Sequence, residues 1–189
     1  MKTPVLLFLA ALAPLHAALD DSLKSLVAIE REGRGNEAAI VAWQEVVKTG
    51  PSALPRLLAS AGKGSEVADN WLRLAGDVIV ENATRSRQPL PLADLASFVS
   101  DTTHSPAGRM MAFDLLKRAD AKKADELEPS LIQDPVQALR RGAVQRLIDS
   151  AKNKTGDDLK AAYLEALDVG QEFPAATHKT KLRTRSDRC

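Results

Sequence analysis

Apolar residues recur at intervals of three and four along most of the chain, the spacing that places them on one side of an α-helix. The clearest example follows Asp134, which is a good N-cap, while Pro135 suits the first position of a helix. Gly142 lowers helix propensity by about 1 kcal/mol relative to alanine, so its presence predicts a close helix neighbour there. The apolar positions of this predicted helix are Val136, Leu139, Ala143, Val144, Leu147, Ile148 and Ala151.

The same pattern predicts eight more helices, separated by glycine or proline and mostly preceded by residues that cap helices. We expect the first two to form an antiparallel pair. The predicted helices, with the one above, cover 20–32, 36–49, 51–58, 65–83, 92–99, 106–116, 125–132, 134–151 and 157–169. The buried stripe of the fourth is predicted to be Val67, Trp71, Leu74, Ala75, Val78 and Ile79.

The longer predicted helices repeat one another. Arg109, Ala112 and Leu116 superpose on Arg140, Ala143 and Leu147 at an offset of 31 residues. The small residue of each set allows close approach of a neighbouring helix, and the large one fills the layer between helices. Helical hairpins that repeat at this length, and cannot bury their own apolar faces alone, are the signature of an α-solenoid.

These residues carry a family resemblance. Asp134-Pro135, Leu139-Arg140-Arg141, Ala143 and Leu147 resemble the second helix of a HEAT-type repeat, and residues 50–58 resemble a first helix. The resemblance covers about residues 50–152. It implies an all-α fold, namely a short right-handed α-α superhelix with about three HEAT-like hairpins plus flanking helices.

The resemblance also implies structural roles for two charged residues. In this family the aspartate caps the helix and the arginine pairs with acids of a neighbouring repeat, so Asp134 and Arg140 are expected to act in this way. The chain further resembles the N-terminal helical array of larger exported bacterial HEAT-repeat proteins.

The first residues read as a secretory signal peptide, with Lys2 followed by an apolar run from Val5 to Ala13. The apolar run is too short to span a bilayer, so we expect cleavage after Ala17 or Ala18, with no transmembrane segment afterwards. The predicted product is exported, either periplasmic or secreted. The predicted organisation is a signal peptide at 1–17, a helical array at 18–169 and a basic tail at 170–189.

The charge balance argues against nucleic-acid binding. The chain has 26 basic and 25 acidic residues, and removing the signal peptide takes away Lys2 and no acid, which leaves a neutral product. Nucleic-acid binders usually display a concentrated positive surface. The tail is basic and poor in apolar residues, so it is expected to be disordered. Docking of this tail on an anionic membrane or wall polymer is one hypothesis.

The sequence predicts no metal, cofactor or catalytic residue. Cys189 is the only cysteine, and His104 and His178 are the histidines outside the signal peptide, which is too few for the usual metal sites. His104, at the entry to a helix, is expected to serve a turn. The tryptophans Trp43 and Trp71 fall on apolar stripes and are expected to belong to the core.

Two functional hypotheses remain from the sequence. The first is a non-catalytic scaffold that binds another protein or spaces neighbouring modules outside the cytoplasm. The second is an accessory helical domain of a larger exported enzyme, whose catalytic module is absent from this chain. Arg109, Arg140 and Arg141 can form a ridge for an acidic partner, but pairing between repeats is the favoured role.

Overall fold

The computed structural model describes residues 12–30, 35–152 and 154–171, and every regular element in them is helical. The all-α prediction is therefore confirmed. Short 3-10 turns precede α3 at Gly50–Ala53 and follow α7 at Glu128–Leu131. The helices are α1 Leu12–Val27, α2 Asn36–Thr49, α3 Leu54–Ser60, α4 Glu66–Ser86, α5 Leu92–Ser100, α6 Pro106–Ala119, α7 Ala121–Leu127, α8 Gln137–Ala151 and α9 Gly156–Gln171.

Several helix boundaries differ from the prediction. α1 begins at Leu12 and so runs through the predicted cleavage position. α7 begins earlier than predicted because the Asp120 side chain caps it, accepting a hydrogen bond from the backbone N–H of Lys123 at 3.0 Å. α9 continues through Gly170, the expected helix end. The tail at 172–189, with Cys189 and His178, lies outside the described residues.

Consecutive helices pack in pairs, and the pairs contact their neighbours. α1 packs on α2, α3 on α4 and α5 on α6, while α8 packs on the 3-10 turn after α7 and on α9. Between pairs, the first helices meet in the order α1, α3, α5 and α7, and the second helices in the order α2, α4 and α6. None of the helices in the described ranges is long and apolar enough to cross a membrane.

Leucine and alanine supply most of the core, as the composition predicts. Leu26, Leu57, Leu72 and Leu115 are all buried to 1% exposure or less, and Ala75 and Ala112 lie fully buried where helices approach closely. Trp43 and Trp71 are partly buried and pack against this core. The small alanine side chains explain how short helices reach close contact without many aromatic residues.

The predicted buried face of α4 is partly wrong. Leu74 is 52% exposed, and the buried face is rotated from it. The reason is that α1, α2, α3 and α6 pack against α4 on the face that carries Leu72, Gly76 and Val80, which leaves Leu74 outside the contact. The buried residues of this helix are Ala68, Leu72, Ala75, Gly76, Ile79, Val80 and Ala83.

The close neighbour predicted beside Gly142 is present. A Cβ atom placed on Gly142 would lie 2.7 Å from Oε1 of Glu128, which comes from the 3-10 turn after α7. The missing side chain thus makes room for a buried carboxylate. The glycine predicted a neighbouring helix, whereas the atom that approaches is a side-chain oxygen of Glu128.

Candidate functional site

The contacts that join one helical hairpin to the next form the most organised polar arrangement in the described part of the chain. We call each of them a junction. A junction is the place where the start of a hairpin's second helix meets the end of the first helix in the preceding hairpin. Three junctions follow one another along the chain.

Ser65 forms the first junction. As the N-cap of α4, its Oγ accepts a hydrogen bond from the backbone N–H of Ala68 at 3.1 Å, and the same hydroxyl donates to the Ile29 carbonyl at 2.8 Å. A hydroxyl can accept and donate at once. Gly64 lies directly against the Val27 carbonyl, where a Cβ atom would not fit. The start of α4 is therefore fixed on the end of α1.

Ser105 repeats this arrangement one hairpin later. Its Oγ accepts from the backbone N–H of Gly108 at 3.0 Å and donates to the Ala61 carbonyl, at the end of α3, at 2.6 Å. A Cβ atom on Gly108 would lie 2.5 Å from the carbonyl oxygen of Leu58. Ser105 thus caps α6, in line with the general expectation that cap residues precede the helices, and its second role as a link between hairpins was not visible in the sequence.

Arg109 and Asp134 form the third junction with a buried ion pair. The Arg109 side chain is 1% exposed and the Asp134 side chain 5%. Arg109 donates from Nη1 to Oδ1 of Asp134 at 3.0 Å and from Nη2 to Oδ2, while its Nε donates to the Val99 carbonyl at 2.8 Å. The Arg109 guanidinium, on α6, therefore joins the end of α5 to the turn that precedes α8.

Asp134 is not the N-cap of α8, so that prediction is wrong. The helix begins at Gln137 after the N-cap Val136, and the Asp134 carboxylate accepts from the Val136 N–H at 2.8 Å. The hydrogen bond from the Val136 N–H closes a local turn before α8. Arg109 holds the same carboxylate from the other hairpin. Arg140 donates from Nη1 to the main-chain carbonyl of Asp134 at 2.6 Å, which holds the same turn from the other side.

The arginine that pairs with Asp134 across the junction is Arg109, the residue that superposes on Arg140 in the sequence repeat. The ridge of Arg109, Arg140 and Arg141, which was the less favoured alternative, does not form, because Arg109 lies in the core and pairs with Asp134. Arg141 is exposed and Arg140 is partly buried. An arginine at a repeat position can face the core or the surface, and the local sequence does not distinguish these outcomes.

The other predicted repeat positions lie mainly in the core. Ala112 and Leu116 are fully buried and Ala143 is 3% exposed. Leu147 is only partly buried and lines an open cavity of about 410 Å³ beside α8, together with Ile132. Ala17 and Ala18, the predicted cleavage position, are exposed on α1.

Arg146 forms a second charged cluster that the sequence pattern did not predict. Its Nε donates to Oε2 of Glu128 at 2.5 Å and its Nη2 to Oδ1 of Asp125 at 2.5 Å. The hydrogen bond to Glu128 is the main cause that raises the pKa of Arg146 above its usual value. The periodicity alone assigned Arg146 to the solvent face, and only the glycine at 142 signalled that a neighbour approaches.

His104 lies in the turn between α5 and α6, where a turn role was expected. Its ring stacks on Phe98 with the ring centroids 3.7 Å apart. The hydroxyl of Thr103 donates to Asp101 at 2.7 Å, and this hydrogen bond is the main cause that lowers the pKa of Asp101. The turn therefore has its own stacking and hydrogen bonds.

An open cavity of about 510 Å³ lies between α1 and α3. We call it the α1–α3 groove. Apolar carbons and charged groups both line it. The lining residues are Asp20, Leu23, Lys24, Val27, Ala28, Arg56, Ala59, Ser60 and Lys63.

Comparison with known proteins gives no relative for this chain. No family model, no curated protein and no solved structure matches it. In the described ranges, no three histidine, cysteine or acidic side chains gather in a way that could hold a metal ion. The helices, their junctions and their surfaces are therefore the features from which a function can be inferred.

Replacing Ser105 with alanine is expected to lower the free energy of unfolding by about 1–2 kcal/mol, because it removes both a helix cap and the link to Ala61. Urea denaturation followed by circular dichroism measures the change. Ser100→Ala is the matched control, since Ser100 bonds only the carbonyl of its own helix at Ala96 and is exposed. Equal effects of the two substitutions would contradict the role of Ser105 in the junction.

Proposed function

We propose that the protein is a non-catalytic, exported helical-repeat scaffold that binds another protein or spaces neighbouring modules, built as a short right-handed HEAT-like superhelix. The observation that carries the proposal is the succession of three junctions, each joining a second helix to the preceding hairpin. A chain that repeats one docking arrangement is built by adding similar units in a row. Solenoids are constructed in this way.

The order of helix contacts supports the same proposal. First helices meet first helices and second helices meet second helices, so each hairpin stacks on its neighbours. The Arg109–Asp134 pair adds a feature that the HEAT resemblance implies, an arginine that bonds an acid of the adjoining hairpin. Such stacking spreads the core along a row and leaves two long layers of helices facing solvent.

The layer of second helices carries features that suit a protein partner. Ile40 and Val41 on α2 are 48% and 62% exposed, and Leu74 on α4 is 52% exposed. Exposed apolar side chains that are grouped and rimmed by polar ones commonly mark interaction sites. Next to Leu74 in the chain, Arg73 pairs with Asp114 at 2.9 Å, which joins α4 to α6.

The export part of the proposal rests on the amino-terminal sequence and on the position of α1. Cleavage after Ala17 would retain Leu19, Leu23 and Leu26, the α1 residues that are buried in the core. It would also place Asp20 in the first turn of a shortened α1, where a carboxylate interacts favourably with the helix dipole. The helical array therefore keeps its first helix after the proposed processing.

The proposed function predicts a specific protein partner on the exported side of the membrane. The full-length chain, tagged at its carboxyl end, is expressed in the source cells and recovered from the exported fraction. Mass spectrometry of the recovered protein should find Ala18 as its first residue. Proteins retained at physiological ionic strength are then quantified against an untagged strain, and we expect one retained in a simple stoichiometric ratio.

Two variants make this experiment specific. Leu74→Glu puts a charge on the exposed apolar layer and is expected to reduce retention of the partner by about tenfold. Ala138→Glu, on the exposed first turn of α8, adds the same charge elsewhere and should leave retention unchanged. Retention that is absent, or equal in both variants, contradicts binding by the second-helix layer. A retained enzyme whose rate depends on this chain would instead favour the accessory-domain alternative.

A further inference from the structure

The α1–α3 groove lies on the other layer of the fold, between the first helices of the first two hairpins. Its apolar surface comes from Leu23, Val27, Ala28 and Ala59. The stretch from residue 20 to residue 27 of α1 covers about 10 Å along the helix axis. The groove is thus long enough for about two turns of a bound helix, or for a short extended segment.

The charged rim of the groove is unequal in sign. Three cationic side chains line it, those of Lys24, Arg56 and Lys63, against the single carboxylate of Asp20. Asp20 pairs with Arg56 at 2.6 Å, and Asp21 outside the groove pairs with Lys24 at 3.0 Å. The lining therefore has an excess of positive charge around an apolar floor.

The existing ion pairs do not close the groove to an incoming anion. The side chains of Arg56 and Asp20 are 41% and 49% exposed, and those of Lys24 and Asp21 are both 76% exposed. Exposed ion pairs contribute little free energy and exchange partners readily.

We propose that the α1–α3 groove binds an acidic amphipathic segment of a partner protein, with its apolar side chains on the groove floor and its carboxylates on the cationic rim. This inference rests on the proposed function and deepens it, because it assigns a second binding surface, on the layer of first helices, and the chemistry of the segment that binds there. The cationic rim favours an acidic segment over a basic one. The chain's own tail is basic, with five cationic residues from Lys179 to Arg188, and the rim would repel it.

A defined peptide tests the inference directly. The probe is a synthetic peptide of about 14 residues, or four helical turns, with leucine and alanine on one face and glutamate and aspartate on the other. It is titrated into the ¹⁵N-labelled full-length protein while amide signals are followed by NMR. Two control peptides accompany it, one with lysine in place of every acid and one with the acidic sequence shuffled so that no apolar face remains.

The acidic amphipathic peptide is expected to shift the amide signals of residues 20–28 and 56–63 in a saturable way, and both control peptides should bind at least about tenfold more weakly. Lys63→Glu should weaken binding of the acidic peptide by about tenfold. Lys122→Glu is the matched control, since Lys122 is 87% exposed on α7, outside the groove. Circular dichroism verifies that both variants stay folded.

Other outcomes would overturn the inference. These are equal binding to both variants, equal binding of the charge-inverted peptide, or shifts that map to α4 and α6 and not to the groove. None of these outcomes affects the capture of a partner by the layer of second helices, which the Leu74→Glu variant tests. A failure of the groove proposal is therefore distinguishable from a failure of the scaffold proposal. If no partner is retained in the capture experiment and no peptide binds in the titration, the scaffold proposal itself is contradicted.

Discussion

Replacing Arg109 with methionine should lower the free energy of unfolding by about 3–5 kcal/mol, because it leaves the Asp134 carboxylate buried without its counter-charge. Methionine keeps most of the side-chain volume, so the loss reports the charge more than a cavity. The substitution also removes the Nε donor to the Val99 carbonyl at the end of α5. Urea denaturation gives the magnitude, read from the midpoint and the slope.

Two further variants separate the ion pair from general effects. Arg141→Met replaces an exposed arginine on α8 and is expected to change stability by less than about 0.5 kcal/mol. Adding Asp134→Asn to Arg109→Met should recover part of the loss, since the amide is neutral and its oxygen can still accept from the Val136 N–H. A loss for Arg109→Met as small as that for Arg141→Met contradicts the junction.

The same variant also tests the solenoid architecture. If hairpins are joined mainly to their neighbours, breaking the third junction should loosen α8 and α9 more than α1 and α2. Hydrogen exchange measures this as faster amide exchange confined to the carboxyl-terminal helices. Uniform loss of protection along the chain would indicate one cooperative bundle and would argue against a repeat array.

Gly108→Ala is expected to lower the free energy of unfolding by about 2–3 kcal/mol, although alanine is the better helix former by about 1 kcal/mol. The new methyl group would lie 2.5 Å from the carbonyl oxygen of Leu58, which belongs to the backbone of α3. A backbone carbonyl cannot turn aside as a side chain can. The two helices must therefore move apart, and the Ser105 link beside them is strained.

Gly76→Ala is the matched control for this prediction. Gly76 is also a buried helical glycine, but its Cβ atom would lie 3.0 Å from Cδ1 of Leu115, a side-chain methyl that can shift. We expect a smaller loss for Gly76→Ala than for Gly108→Ala in the same urea measurement. A Gly108→Ala protein that is as stable as the control would show that α6 and α3 can separate without cost.

Much of the fold was predictable because helix formation follows local rules. The spacing of apolar residues and the position of caps such as Ser65 and Ser105 act within one or two helical turns, so the sequence carries them directly. Proline and glycine before α3 marked a helix start in the same way. These signals predicted the all-helical architecture and most helix boundaries.

The functional surfaces were less predictable, since they depend on contacts between distant residues. Leu74 belongs to an apolar stripe, yet half of its surface is exposed because the neighbours of α4 cover another face. The α1–α3 groove joins residues from two helices, and no motif connects Lys24 with Lys63 in the sequence. Its cationic rim exists only once α1 and α3 lie side by side.

The sequence by itself determined that the chain forms short helices with repeating apolar spacing, and it singled out Asp134 and Arg109 as members of a repeat. It could not decide what these two residues do. A carboxylate before a helix can cap that helix with local donors alone, but Asp134 pairs with an arginine 25 residues earlier. Burial decides between these two roles, because a buried carboxylate is stable only when a counter-charge lies next to it. Only the tertiary structure brings Arg109 to that position.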